Sequence, residues 1–148
     1  MNTKEFLNQA FYLNLKIQKK TERIERLRAM LERLAPYISD MSKIQGGGDD
    51  DKLANGVAKI VDLQSEVKEL AEKLADISCE IADTIEELSD KRQCEVLTKR
   101  YLEFKQWSLI SEEMHFSYHY VHDLHRRGIN HIAKIIQNNT KSYKASNK

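Results

Sequence analysis

Helix breakers are scarce in this sequence. A single proline, Pro36, and five glycines, three of them consecutive at 46–48, leave most of the 148 residues free of anything that interrupts a helix. Pro removes a backbone donor and Gly pays extra backbone entropy, so long stretches lacking both favour continuous helices. There are two cysteines, Cys79 and Cys94, with neither metal-type spacing nor a partner motif. They read as reduced thiols, not as a disulfide framework or a zinc site. No apolar run approaches the ~18 residues needed to span a bilayer, and "MNTKEFLNQAFYLNLKIQKK" mixes charge into its apolar pattern, unlike a secretory leader. These absences point to an all-α, cytoplasmic protein without membrane contact. A nucleophile elbow, a phosphate-cradling Gly loop and an HExxH motif are also missing, so the expectation is no enzyme, no catalytic residues and no cofactor.

What the chain does have is charge, 32% of its residues, distributed unevenly. Residues 1–90 carry 13 Lys/Arg against 18 Asp/Glu, whereas residues 91–148 carry 11 against 5. A basic C-terminal third on a near-neutral chain fits a nucleic-acid binder with a separate assembly segment.

In the first segment, apolar residues recur at Phe6, Ala10, Leu13 and Ile17, then at Ile24, Leu27, Leu31, Leu34 and Ile38. Steps of 3 and 4 make a heptad stripe, broken at Lys20. Pro36, Ser39 and the glycine run are expected to end this helix, with Asp49–Asp51 as N-caps for the next. A second stripe follows: Leu53, Ile60, Leu63, Val67, Leu70, Leu74, Ile77, Ile81 and Leu88, with Thr84 as its weak point. Two helices of about 36 residues, each about 54 Å long, joined by a loop at 39–52, predict an antiparallel coiled-coil hairpin over residues 1–88. Residues 1–38 are basic and residues 39–90 strongly acidic, which favours their pairing. Because a two-helix core is thin, the hairpin is expected to form a homodimer. "GGGDDDK" (46–52) lacks the alternate ligand spacing of a calcium loop and reads as a solvated turn.

Residues 89–137 predict a small helical domain, and residues 138–148 a flexible basic tail. The domain's first helix runs from about Ser89 to Glu103, with Cys94, Leu97, Tyr101 and Phe104 on or beside one face. Its second, near Trp107–Glu113, groups Trp107, Ile110 and Met114. "HFS" (115–117) makes a tight turn, and Ser117 is a good N-cap for a third helix burying Val121, Leu124, Gly128, Ile132 and Ile135. A short helix, a tight turn and a longer amphipathic helix form the helix-turn-helix layout, whose last helix presents its outer face to a DNA groove.

"LTKRYLEFKQWSLISEEMHFSYHYVHDLHRRGINHI" (97–132) resembles region 4 of bacterial sigma factors, through Leu97, Tyr101, Trp107, Ile110-Ser111-Glu112, Phe116-Ser117, Val121, Leu124 and Ile129. Nearly the whole chain is similar to small phage and prophage proteins of Gram-positive bacteria, related to the autolysin-regulator type of transcriptional regulator. That similarity rests on the heptads, "DKLANGVAKIVDL" (51–63) and the "RYLE…W…I…EM…S…V…LH" signature. The resemblance implies a sigma region 4-like domain and regulation of phage genes in a bacterial host cell. Region 4 carries Gly where His115 stands, and basic or amide groups at the positions of Tyr118, His122 and Asp123.

All five histidines fall in "HFSYHYVHDLHRRGINH" (115–131). Advancing about 100° per residue from Val121 puts His125 at the core edge. His119, His122, Asp123, Arg126 and Asn130 fall on an outward stripe, His131 lies to the other side, and His115 sits in the turn. They do not converge, so no metal site is expected. The expected DNA-binding residues are Ser117, Tyr118, His119, Tyr120, His122, Asp123, Arg126 and Arg127, with Lys134, Lys141 and Lys144 extending the positive track. The expected partner is double-stranded DNA. The rival is an adaptor that docks on RNA polymerase or another protein through the sigma-like domain without reading DNA, a role to which Tyr118 and Tyr120 are suited.

Overall fold

The computed structural model describes residues 1–42 and 48–147, with five helices among them. They are α1 (Thr3–Ser42), α2 (Gly48–Glu86), α3 (Lys91–Tyr101), α4 (Trp107–Met114) and α5 (Tyr118–Ser146). The protein is all-α, with α1 and α2 forming a long antiparallel hairpin followed by a cluster of α3–α5.

The turn end of the hairpin differs from expectation. Pro36 does not stop α1, which continues through it to Ser42. Only the Glu32 carbonyl loses its i+4 donor, and Glu32 and Pro36 are both exposed, so water can replace that bond. Asp49–Asp51 lie inside the first turn of α2 instead of ahead of it. The expected loop at 39–52 therefore shrinks from both sides. The solvated turn and the Ile38 side chain lie in whole or in part outside the described residues.

The chain forms two compact units. One, Leu13–Lys73, is the middle of the hairpin. Its core is Ile24, Ile60 and Leu63, backed by Leu27, Leu31 and Val67. Gly56 lets the helices approach closely here: a Cβ at this position would lie 2.6 Å from Leu31 Cδ2. Lys20, the break in the first heptad stripe, meets Glu66 of α2 at 2.8 Å.

The other unit joins Met1–Tyr12 to Leu74–Lys148. It holds two cores. Leu7, Ala10, Ile81, Ile85, Leu88, Leu97, Tyr101 and Ile132 form the first, and Val96, Ile110, Val121 and Leu124 form the second. The free ends of α1 and α2 thus supply part of the same core as α3 and α5, on both sides of the boundary expected at residue 88. Leu7 and Ile85 are the buried residues where the heptad count put Phe6 and Thr84; Thr84 instead donates its hydroxyl to the Glu80 carbonyl. Asp90 caps α3 by accepting from the Arg92 and Gln93 amides. Residues 138–146, expected as a flexible tail, continue α5 as helix with exposed side chains.

Candidate nucleic-acid interface

The turn between α4 and α5 is closed by local hydrogen bonds. His115 adopts the left-handed conformation (φ 57°, ψ 35°), a region that costs a β-carbon-bearing residue more than glycine. Its amide reaches back to the Glu112 carbonyl, and the Phe116 amide donates to the Ser111 carbonyl at 3.2 Å. These bonds close the end of α4. Ser117 then caps α5, its hydroxyl accepting from the Tyr120 amide at 3.1 Å.

Val121, Leu124, Gly128 and Ile132 are buried, as the spacing predicts, while Ile135 is half-buried. Gly128 has a packing role: a Cβ there would stand 3.1 Å from Leu97 Cδ1 of α3. The outer face is narrower than the eight expected residues. Ser117, Tyr118 (56% exposed), His119, Arg126 and Arg127 face solvent; Tyr120, His122 and Asp123 are only half-exposed.

Each of those three is held by a neighbour. The Tyr120 hydroxyl accepts from Arg92 Nη1 at 2.9 Å, and its ring stands edge-on to Phe116. The same guanidinium lies over the Phe116 ring. His122 is sandwiched between Trp107 and Tyr118, each 4.4 Å away between ring centroids. Its Nε2 is buried with no hydrogen-bond partner, so this nitrogen does not sit on the outward stripe where the helical wheel placed it. Asp123 accepts from both Arg126 (2.5 Å) and Arg127 (2.9 Å), cancelling one of the two positive charges expected to meet phosphate. His119, His122, Asp123 and Arg126 line a shallow cleft of about 190 Å³.

The remaining histidines are structural. His125 stacks on Tyr101, with Nε2 2.6 Å from the hydroxyl, and meets Trp107 edge-on. Burial, with Lys4, His122 and Arg100 adding positive charge nearby, pulls its pKa down to about 4. It is therefore neutral near pH 7, and the tautomer decides which of Nε2 and the Tyr101 hydroxyl donates. His131 Nδ1 lies 2.8 Å from the side-chain oxygen of Gln93, which is only 3% exposed. Among the described residues no three His, Cys, Asp or Glu side chains gather as metal ligands.

Sequence reading missed the braces Arg92 and Gln93, and placed Trp107 on the inner face of its helix without its contact to His122. Trp107 also carries the Arg100 guanidinium on its ring at 4.7 Å. The position of Asp90 as a cap ahead of "KRQ" (91–93) was the available signal, since it fixes where α3 starts and hence which way Arg92 and Gln93 face. No helix among the described residues is long and apolar enough to cross a membrane. The chain matches no protein-family model, no curated protein and no solved structure.

Proposed function

We propose that the protein is a DNA-binding transcriptional regulator of phage or prophage genes that inserts α5 into the major groove of duplex DNA. One observation carries this reading: α5 is fixed to α3 and α4 by Val121, Leu124, Gly128 and Ile132, while its first three turns expose Tyr118, His119, Arg126 and Arg127. A rigidly backed helix with an exposed polar and basic N-terminal half can approach base edges while its flanks meet phosphates. Tyr120, His122 and Asp123 act in this reading as supports that aim the exposed residues. Arg127, Lys134 and Lys141, seven residues apart and all exposed, form a row that would follow the backbone. The regulatory role rests on the resemblance of nearly the whole chain to phage and prophage regulators, and the fold of its DNA-binding part on that of residues 97–132 to sigma region 4. The hairpin serves as the homodimerisation segment, and no catalytic role is assigned.

The adaptor reading is favoured by one feature, the exposed Tyr118 ring at the start of α5, since aromatic rings are enriched at protein interfaces. Fluorescence anisotropy with a labelled duplex and no polymerase separates the two. Binding should occur, and log K should fall linearly with log salt. Arg127→Ala should flatten that slope by about 0.9, the share of a single neutralised phosphate. No duplex binding at low salt, with retention of RNA polymerase, would replace the first reading by the second.

A further inference from the structure

On α1, Lys16, Lys19, Arg23, Arg26, Met30 and Arg33 follow one another at steps of 3 and 4, and all six are exposed. At about 100° per residue they fall within an arc of about 100° and extend about 25 Å along the helix. Their spacing is that of a seam, although the hairpin's own core uses a different face, that of Ile24 and Leu31. On α2, Asp62, Glu66 and Glu69 form an exposed acidic row within an arc of about 60°.

The basic and acidic rows border the same groove, an open channel of about 500 Å³ lined by Lys16, Lys19 and Lys20 of α1 and by Glu66, Glu69 and Leu70 of α2. Among the described residues, Lys20 and Glu66 make the one ion pair of this face, at 2.8 Å. Lys16, Lys19, Arg23, Asp62 and Glu69 make none. One face of the hairpin therefore presents a positive rail and a negative rail side by side, with most of their charged groups outside direct ion pairs. Lys73 and Lys59 stand at the two ends of the acidic row, and the charge of Lys59 reaches Glu66.

We infer that this face docks a second copy of the chain. A polyanion would be repelled by the Asp62–Glu69 row, and a polycation by the Lys16–Arg26 row. A partner must carry both signs in parallel rails, and a second hairpin does. Symmetry then selects the arrangement. A two-fold axis lying in the interface and parallel to the helices sets α1 of each copy over α2 of the other, so every positive rail meets a negative one. A two-fold axis across the helices would stack α1 on α1, like charge on like.

The register follows from contacts within one chain. Lys20 lies opposite Glu66, and Leu31 opposite Gly56. Without axial shift, Lys16 and Lys19 of one copy stand at the level of Glu69 of the other, and Arg23 at the level of Asp62. The dimer is a four-helix arrangement in which each α1 is antiparallel to both α2 helices. This deepens the homodimer reading by naming the face and the axis, and it concerns assembly alone.

The test uses the full chain without DNA, by sedimentation velocity and native mass spectrometry. One variant reverses the positive rail (Lys16→Glu, Lys19→Glu, Arg23→Glu), a second the negative rail (Asp62→Lys, Glu69→Lys), and a third carries both sets. All three leave the Lys20–Glu66 pair intact. The parent should be a dimer that weakens with salt. Each single-rail variant should dimerise at least tenfold more weakly, and an equimolar mixture of the two should recover a dimer, now mixed. The double-rail chain keeps its internal complementarity, so it should dimerise with itself and not with the parent. It therefore decides the question even if the single-rail chains fail to fold. A monomeric parent at tens of micromolar would overturn the homodimer reading as a whole. A dimeric parent whose partner choice ignores all these reversals would overturn this face and leave dimerisation to another.

Discussion

The Tyr101 hydroxyl stands 2.6 Å from His125 Nε2, beneath stacked rings whose centroids are 5.7 Å apart. Tyr101 comes from α3 and His125 from α5, so the contact ties the helix proposed to read DNA to the core that also holds Leu7 and Ile85. It functions while the imidazole is neutral.

That dependence gives a pH prediction. The folded-state pKa of His125 is lowered from 6.5 to about 4. Between those values the unfolded chain binds the proton and the folded one does not. Stability is therefore complete above about pH 6.5 and declines as pH falls toward 4. At ~1.4 kcal/mol per pKa unit, reduced for the solvent screening of a partly exposed ring, the loss is on the order of 2 kcal/mol. Urea unfolding from pH 7.5 to 4 should show this slope. His125→Gln, which keeps a polar group able to donate to or accept from Tyr101, should remove most of it; an unchanged slope would assign the effect to other groups.

Asp123 restrains the two arginines most exposed on α5. Asp123→Asn frees both guanidiniums. In the DNA-binding reading it should tighten duplex binding roughly fivefold and steepen the salt dependence by up to about 0.9. Anisotropy titrations at several salt concentrations measure both. Weaker binding by this variant would mean that the carboxylate positions the arginines or itself meets a base.

His122 presents the opposite case, a polar group where an apolar one would do. Its unpartnered Nε2 is buried between two aromatic rings. His122→Phe retains a ring and removes the unsatisfied nitrogen, and should raise stability by about 1 kcal/mol. Thermal unfolding at pH 7.5 checks this. Duplex affinity should stay near that of the parent, because the exposed residues of the face are untouched.

A fragment of residues 1–90 tests the shared core. Leu7, Ala10, Ile81, Ile85 and Leu88 lose Leu97, Tyr101 and Ile132 in that fragment. Its middle, around Ile24, Ile60 and Leu63, should remain helical, while residues 1–12 and 74–90 fray. Hydrogen exchange should show protection confined to the middle; uniform protection to both ends would mean that the hairpin needs nothing from α3–α5.

The elements that could be read from sequence were those fixed locally. Heptad spacing, the Ser117 cap and the "HFS" turn depend on neighbours within about four residues, and the structure places α4, the turn and the start of α5 where they predict. The site was read less well. A helical wheel gives the direction of each Cα–Cβ bond but not what stands beside it. His122 and Tyr120 point partly outward along α5, yet Trp107 and Tyr118 enclose the first and Arg92 holds the second. Asp123 was legible in principle, since Arg126 and Arg127 stand at i+3 and i+4. The passage of α1 through Pro36 escaped because the cost of proline depends on burial, which the heptad stripe does not report at its end.

Leu7 and Ile132 lie 125 positions apart in the chain and share one core. A ribosome adding about 5–20 residues per second would need roughly 6–25 s after placing Leu7 before Ile132 existed to cover it. Throughout that interval the apolar start of α1 is displayed to the cell. The middle of the hairpin can close as soon as Val67 has emerged, so folding begins in the interior of the chain. Residues 1–12 are made early and are among the last to find their places, so a chaperone that meets them on the ribosome would act on a segment still awaiting its other half.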